Sequence, residues 1–329
     1  MSLVPTMWSY ILRRILLTIP TVLGIVLLTF ILFSLVSKNP ARAYAGKQAS
    51  AQTLAAIEHK MGLDKPPFFN WKKARANRSF TAIFDSQFFD LLFFRFNQSM
   101  RYEESVWQLL INKAPVSLAI QIPAFLVLLG LELVIALYIA NRRGQFSDLL
   151  VTTISILGMS IPALSIYLAA QWFFGAKLKI FPVAGWESGF YAIHFAALPI
   201  LCIIFSQLGW GARFYRTVVL DELNLDYVRT ARAKGVAQRE VMLTHILRNV
   251  LIPVVTNSIA YLPFLVTGAL VLEHQFQIPG MGELIVQSIA NQDRSVVMGL
   301  VYLISIAYCL ALLVSDILYA VVDPRISLK

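Results

Sequence analysis

Six long apolar runs, none holding more than one charged residue, limit this chain to architectures that lie in a lipid bilayer. A helix needs roughly 20 mostly apolar residues to cross the hydrocarbon core of a membrane. Hydrophobic residues make up 58% of the 329 positions, whereas soluble domains are nearer roughly 45–50% apolar. The pattern predicts an all-α, polytopic membrane protein with six transmembrane helices, at Ile15–Val36, Val116–Ala140, Leu149–Phe174, Phe195–Ala212, Leu251–Leu272 and Ser295–Val322.

The charge distribution predicts the orientation of these helices. The net charge of +10 comes from basic residues beside the apolar runs, which indicates membrane topology rather than nucleic-acid binding. Arg13 and Arg14 precede the first span, and Asn141-Arg-Arg-Gly144 follows the second. Because an excess of basic residues marks the cytoplasmic side, both chain termini are predicted to be cytoplasmic.

The apolar runs divide the chain into three parts. Residues 1–36 hold the N-terminal segment and the first span, residues 37–114 form a polar external insertion, and residues 115–329 form a five-helix core. Aromatic residues inside the insertion recur every four positions, which predicts a helix that lies on the membrane surface or packs on the outer rim of the protein. Packing is the favoured alternative, and the residues concerned are Phe80, Phe84, Phe88 and Leu92.

A charged segment at residues 221–250 separates the fourth and fifth spans. Ala231 and Ala233 favour a short first helix, and Gly235 is typical of the break after it. Residues 240–250 can form a second helix that ends before Pro253. The segment is therefore predicted to fold as a helix, a glycine turn and a helix.

The sequence carries no motif of an enzyme. The four histidines lie in separate segments without the spacing of a metal site, and Cys202 and Cys309 lie inside apolar runs, as small core residues do. Gly46-Lys47 lacks the first glycine and the Ser or Thr of a phosphate-binding loop. If ATP drives this protein, another polypeptide must bind it.

Two acidic residues inside the spans are candidates for function, because an ionisable group in hydrocarbon is costly. Asp316 lies near the cytoplasmic end of its span, where structural hydrogen bonding is expected. Glu132 lies deeper and could line a pathway, contact cationic groups of a substrate, or pair within the bundle. In the third span, Ser160-Ile-Pro162 should kink the helix and is placed with Glu132 on a possible translocation path.

Several motifs resemble the dipeptide and oligopeptide branch of the ABC importer permeases. Tyr227-Val-Arg-Thr-Ala-Arg-Ala-Lys-Gly235, followed by His245-x-Leu-Arg-Asn249, is similar to the cytoplasmic coupling loop of that family. The glutamate and proline of the more general signature are missing, which matches the peptide-type variant. Further similarity lies in Gly62-Leu-Asp-Lys-Pro66, Phe181-Pro-Val-Ala-Gly185, Pro279-Gly-Met-Gly282 and the tail Asp323-Pro-Arg-Ile326.

This resemblance implies a type I ABC importer permease fold with an external insertion after the first helix. The turn-setting Pro279 with Gly280 and Gly282 separately predicts an external turn that faces the translocation path or a neighbouring subunit. The resemblance also assigns coupling to the ATPases to residues of the charged segment, namely Arg229, Thr230, Ala231, Arg232, Ala233, Lys234, Gly235, His245, Arg248 and Asn249.

The resemblance further implies the partners of the chain. They are a second homologous permease, two ATPase subunits that hold ATP and Mg, an external solute-binding protein and a peptide substrate, assembled in a bacterial plasma (inner) membrane. No cofactor is expected in this chain itself. Nickel chelates, sugars or peptide antibiotics remain alternative substrates, and a proton-coupled secondary transporter that relays protons through Glu132 and Asp316 is the alternative from another class.

Overall fold

A computed structural model describes residues 7–36, 40–45, 49–77 and 79–322. Across these ranges the chain is helical, and strand pairing is limited to one isolated bridge between Gln98 and Ser105. In chain order the helices are α1 Met7–Val36, α2 Pro40–Ala45, α3 Ala51–Lys60, α4 Trp71–Asn77, α5 Gln87–Leu92, α6 Val106–Asn141, α7 Phe146–Met159, α8 Ala163–Ala170, α9 Ala192–Leu223, α10 Asp226–Ala233, α11 Gln238–Glu240, α12 Leu247–Thr267, α13 Leu270–Gln275, α14 Met281–Ala290 and α15 Arg294–Val322.

Five helical segments of the described chain are long and apolar enough to cross a membrane. A sixth consists of α7 and of α8 with the π-helical turn that continues it to Lys177, and the two halves bend by 92°. Counting this bent pair as one span confirms the predicted six. The five straight segments are Leu12–Leu35, Val106–Asn141, Gly189–Leu223, Gln238–Leu265 and Arg294–Ile317.

The third span is broken rather than kinked, at the predicted place. Pro162 has no N–H group and adopts an extended ψ of 135°, so helix α7 ends and α8 begins anew after it. The hydroxyl of Ser160 donates to the carbonyl of Ile156 at 2.9 Å, which satisfies an acceptor at the end of α7.

The prediction for the fifth span is wrong at both ends. Helix α12 continues through Pro253 and Pro263, and a π-helical turn at Val241–Ile246 joins it to α11. Prolines are tolerated in membrane helices where neighbouring groups satisfy the freed backbone. The helix ends instead at Gly268, whose φ of 72° suits a residue without a Cβ.

Close contacts between helices hold the core together. Helix α9 packs along α6 and α7, and a Cβ on Gly209 of α9 would lie 2.8 Å from the Ser155 carbonyl oxygen of α7. Small residues allow membrane helices to approach in this way. Arg216 of α9 also binds Asp148 through two hydrogen bonds of 2.7 Å, although Asp148 is buried. This ion pair has no signature in the sequence, because its partners are 68 residues apart.

The insertion does not contain the single helix predicted from its phenylalanines. Phe80–Phe84 forms a 3₁₀ helix, and α5 starts only after Asp85 and Ser86. Lys65 binds the carboxylates of Asp85 at 2.9 Å and Asp90 at 2.5 Å. These bonds and the extended backbone of Ser86 separate the two helices. The aromatic and apolar residues that recur every four positions therefore do not lie on one face of a single helix.

The favoured alternative of packing holds for the second half of that run. Phe88 and Leu92 pack against Val26 and Phe30 of α1, whereas Phe80 is 75% exposed.

On α15, Asp316 forms an ion pair of 3.1 Å with Arg14 of α1, which agrees with the structural role expected for it. The tail Asp323-Pro-Arg-Ile326 and the Gly46-Lys47 pair lie outside the described residues.

Candidate functional site

The charged segment folds as a capped helix followed by a turn. Helix α10 ends with the N–H of Gly235 bonded to the Arg232 carbonyl at 2.9 Å and that of Val236 bonded to the Ala231 carbonyl at 3.2 Å. This pair of bonds defines a Schellman cap, which needs a left-handed residue. Gly235 supplies it with a φ of 80°, and this confirms that a glycine break follows the first helix.

One side of α10 is buried against the protein itself. Val228 is fully buried and Ala231 is 8% exposed, and both pack in a cluster with Tyr215 of α9 and Val241. Ala231 therefore does not lie on the surface that a partner could reach, contrary to the expectation that it faces the ATPase. The exposed side of the helix and its cap consists of Asp226, Arg229, Thr230, Arg232, Ala233, Lys234 and Gly235, and Asp226 pairs with Arg229 at 3.4 Å.

Polar side chains fasten α10 to neighbouring helices. The Tyr227 hydroxyl donates to Glu222 of α9 at 2.5 Å, and the Asn249 amide of α12 approaches the same oxygen at 3.4 Å. Burial, together with the bond to Glu222, raises the pKa of Tyr227 to about 12, so this hydroxyl stays a donor. Among the other predicted coupling residues, His245 is half-buried and Arg248 is exposed.

A second chain of bonds reaches the neighbouring turn. Arg232 donates to the Gln238 amide oxygen at 3.1 Å, and the Gln238 amide nitrogen donates to Asn141 at the end of α6 at 2.9 Å. The charged segment and the end of α6 therefore form one continuous polar surface at this end of the bundle.

Glu132 lies between α6 and α9 in the middle of the bundle. It is 6% exposed, and a methyl group added at Gly211 of α9 would overlap its carboxylate. Within the described ranges no hydrogen bond or ion pair reaches this carboxylate. Ser160 and Pro162 lie exposed at the break between α7 and α8.

A second buried carboxylate, that of Glu273, was not singled out from the sequence. Glu273 is 1% exposed and accepts the N–H groups of Gly282 at 2.7 Å, Ala269 at 3.2 Å and Glu283 at 3.4 Å. It therefore caps the N-terminus of α14, where free N–H groups favour an anion. Burial nevertheless raises the pKa of Glu273.

The turn Pro279–Gly282 wraps around this carboxylate. A Cβ on Gly268 or Gly280 would overlap the carboxylate of Glu273, and a Cβ on Gly282 would lie 2.9 Å from the Leu270 Cα. The hydroxyl of Ser117 on α6 accepts the N–H of Met281 at 2.8 Å and completes the site. The two glycines of the predicted external turn are thus required by an internal contact of the chain.

A signal for this site was available in the sequence. An acidic residue at the end of an apolar run stands a few positions before Pro-Gly-x-Gly, and such glycines allow backbone to approach an anion closely. Ser117 could not have been included, because it lies 164 residues from Met281 and only the tertiary structure brings them together.

One protein family matches this chain along almost its whole length. The family described as "Binding-protein-dependent transport system inner membrane component" matches residues 132–328, and the N-terminal part described for the same systems matches residues 7–121. The chain belongs to this family and is the membrane component of a binding-protein-dependent transport system. The resemblance and the type I ABC permease fold predicted from the motifs are confirmed.

Relatives cover almost the whole chain. A protein of Brucella suis biovar 1 described as a peptide transport system permease is 31% identical over 97% of this chain and 99% of its own length. The glutathione transport system permease protein GsiC of Salmonella paratyphi A is 34% identical over 98% of this chain and 100% of its own length. The GsiC protein of Salmonella typhimurium is likewise 34% identical over 98% of the chain.

Proposed function

We propose that this chain is a permease subunit of an ATP-driven importer for short peptides. It works with a second homologous permease, with two ATPase subunits that bind ATP and Mg, and with an external solute-binding protein that delivers the peptide. Relatives named for peptide and glutathione transport support this substrate class, since glutathione is itself a tripeptide. No cofactor is assigned to this chain.

The observation that carries the proposal is the construction of the charged segment. Helix α10 presents an exposed, predominantly basic face, and its Tyr227 is bonded to Glu222 of α9, which in turn accepts the amide of Asn249 on α12. A displacement of α10 by a partner would therefore be passed to two membrane spans. We assign coupling to the exposed residues of α10 and its cap, together with Arg248, while Ala231 supports this face from below.

The proton-coupled alternative finds less support. Asp316 is paired with Arg14 and lies on α15, whereas Glu132 lies in the interface of α6 and α9. A proton relay needs ionisable groups in succession, and the described residues show no bond between these two acids. Membership of a binding-protein-dependent family also favours an ATP-driven mechanism.

Uptake measurements test the substrate class. A strain that lacks the gene should lose uptake of labelled short peptides and recover it when the wild-type chain is restored. Intact peptide uptake with impaired import of nickel chelates, sugars or peptide antibiotics would move the assignment to another substrate of the same family.

A reporter fused after Lys329 should be cytoplasmic and one inserted near Ala76 external, and the reverse result would invert the proposed orientation.

Two glycines allow a matched test of coupling. Gly235 and Gly144 have φ values of 80° and 77°, and neither has an atom within 4 Å of the position of an added Cβ. Valine at either position therefore adds a similar backbone strain of about 1 kcal/mol or more. Gly235→Val should preserve membrane insertion but reduce co-purification of the ATPases and substrate-stimulated ATP hydrolysis in reconstituted vesicles.

Gly144→Val is the control, because Gly144 follows α6 in a different turn. We expect this variant to retain the ATPases and their stimulation. Equal loss in both variants would attribute the effect to strain in general, and wild-type transport by Gly235→Val would remove the charged segment from the coupling role.

A further inference from the structure

The insertion carries a surface of exposed aromatic rings. These rings lie on the loop before α4, on α4, on the 3₁₀ helix and around α5, and we call them the aromatic face. An exposed apolar surface of this extent needs an occupant other than water. The most exposed members are Phe80 at 75%, Trp71 at 63%, Phe93 at 58% and Phe69 at 48%.

Ring contacts connect the aromatic face to the first membrane span. Phe88 lies 5.7 Å from Phe30 of α1 between ring centroids, and Phe89 is the neighbour of Phe88 at 5.4 Å. From Phe89 the contacts continue to Phe69, Phe84 and Phe93 at 4.8–6.2 Å. The face is therefore continuous with the surface of a helix that crosses the bilayer.

The position of these contacts along α1 and α15 gives their depth. Phe30 lies five residues before Leu35, the end of the apolar part of α1, which is about 8 Å along a helix. On α15, the ring centroid of Tyr302 lies 5.0 Å from that of Phe94. Tyr302 follows Arg294, the polar start of that span, by eight residues. Eight residues correspond to about 12 Å. A half-bilayer of hydrocarbon is about 15 Å thick, so these rings lie below the level of its surface.

The acidic residues beside the 3₁₀ helix and on α5 are paired with lysines, whereas α4 carries exposed cations. Asp85 is bound by Lys65 and Lys73, and Asp90 is buried and bound by Lys65. Helix α4 begins at Trp71 and adds the exposed cations Lys72 and Arg75. Long cationic side chains can reach the phosphates of lipids while their neighbours contact acyl chains.

We propose that the aromatic face is embedded in one leaflet of the bilayer beside α1, with Lys72 and Arg75 at the level of the lipid phosphates. The insertion is then a membrane-anchored platform rather than a domain surrounded by water. The proposed topology decides only which leaflet is involved, the outer one, and the embedding itself does not depend on the transported substrate.

Depth-dependent quenching tests this proposal on the full-length chain in phosphatidylethanolamine and phosphatidylglycerol vesicles. Phe93→Cys and Phe80→Cys place an environment-sensitive fluorophore on the face, and both rings that they replace are exposed rather than part of the buried core. Both native cysteines are buried and should not react. Gln52→Cys on the polar helix α3, also exposed and within the insertion, is the control.

The labels at positions 93 and 80 should be quenched several-fold more strongly by brominated lipids than the label at position 52. Aqueous iodide should show the opposite order. Equal quenching by iodide at all three positions overturns the proposal. So does protection of positions 93 and 80 that arises only after the solute-binding protein or the second permease is added, since the face would then bind a protein. Intact peptide uptake in the deletion strain, which would refute the proposed substrate, would leave this result unchanged.

Discussion

Glu132 and Glu273 are both buried carboxylates of this protein, yet their surroundings differ completely. Glu273 accepts three backbone N–H groups at 2.7–3.4 Å, and the N-terminus of α14 is built on it. Glu132 has a comparable exposure of 6%, but it faces a glycine of α9 and no donor among the described residues reaches it. One carboxylate is bound by backbone donors, whereas the other has no hydrogen-bond or ion-pair partner in the described part of the chain.

This difference shows why burial alone does not identify a functional acid. A buried carboxylate loses its hydration, and the loss is costly unless donors replace the water. For Glu273 the protein supplies these donors itself. For Glu132 it does not, so a substrate, a water-filled path or a partner subunit is needed to explain the residue. Among these three, we propose that Glu132 lines the translocation path.

The largest expected effect separates the two residues by stability. Glu273→Leu leaves the N–H groups of Gly282, Ala269 and Glu283 without an acceptor and should destabilise the protein by about 3 kcal/mol or more. Glu132→Leu removes a desolvated carboxyl group that has no described partner and should be neutral or stabilising. Thermal unfolding of the purified chain in detergent measures both. Similar losses in the two variants would abolish the distinction between them.

A smaller effect concerns transport. Glu132→Gln keeps the size of the side chain and removes its charge, so assembly and membrane insertion should be unchanged. Uptake of cationic peptides should fall several-fold, while uptake of neutral peptides should persist, because only the former gain from a negative charge on the path. Competition uptake assays with peptides of equal length compare them. Equal loss for every peptide indicates a structural role, and unchanged uptake removes Glu132 from the path.

The smallest effect is the pH dependence of the Glu273 site. Burial raises the pKa of Glu273 above its ordinary value of 4.5. A carboxyl with a raised pKa in the folded state contributes stability that is complete below the unfolded pKa and is lost as the pH rises through the folded pKa. Wild type should therefore lose thermal stability relative to Glu273→Gln as the pH is raised above 4.5. A constant difference across that range contradicts this expectation.

Local patterns predicted the elements that depend on neighbouring residues. The long apolar runs marked the membrane spans, because in a bilayer a helix satisfies its own backbone polar groups. Gly235 marked the turn of the charged segment, because a left-handed residue is needed where helix α10 ends. The limits of α12 were missed, since proline ends helices in water more reliably than within a packed membrane bundle.

The sequence by itself determined that this chain is a six-span membrane protein with a charged segment between the fourth and fifth spans. Hydropathy and the conformational freedom of glycine are properties of short stretches of sequence, and they act in the same way whatever the tertiary surroundings of the stretch. Only the tertiary structure decided that Ala231 is buried, that α7 and α8 bend by 92°, and that Glu273 meets Ser117 while Glu132 meets Gly211. These outcomes depend on how helices distant in sequence pack together, and the pairing of donors with acceptors follows from that packing.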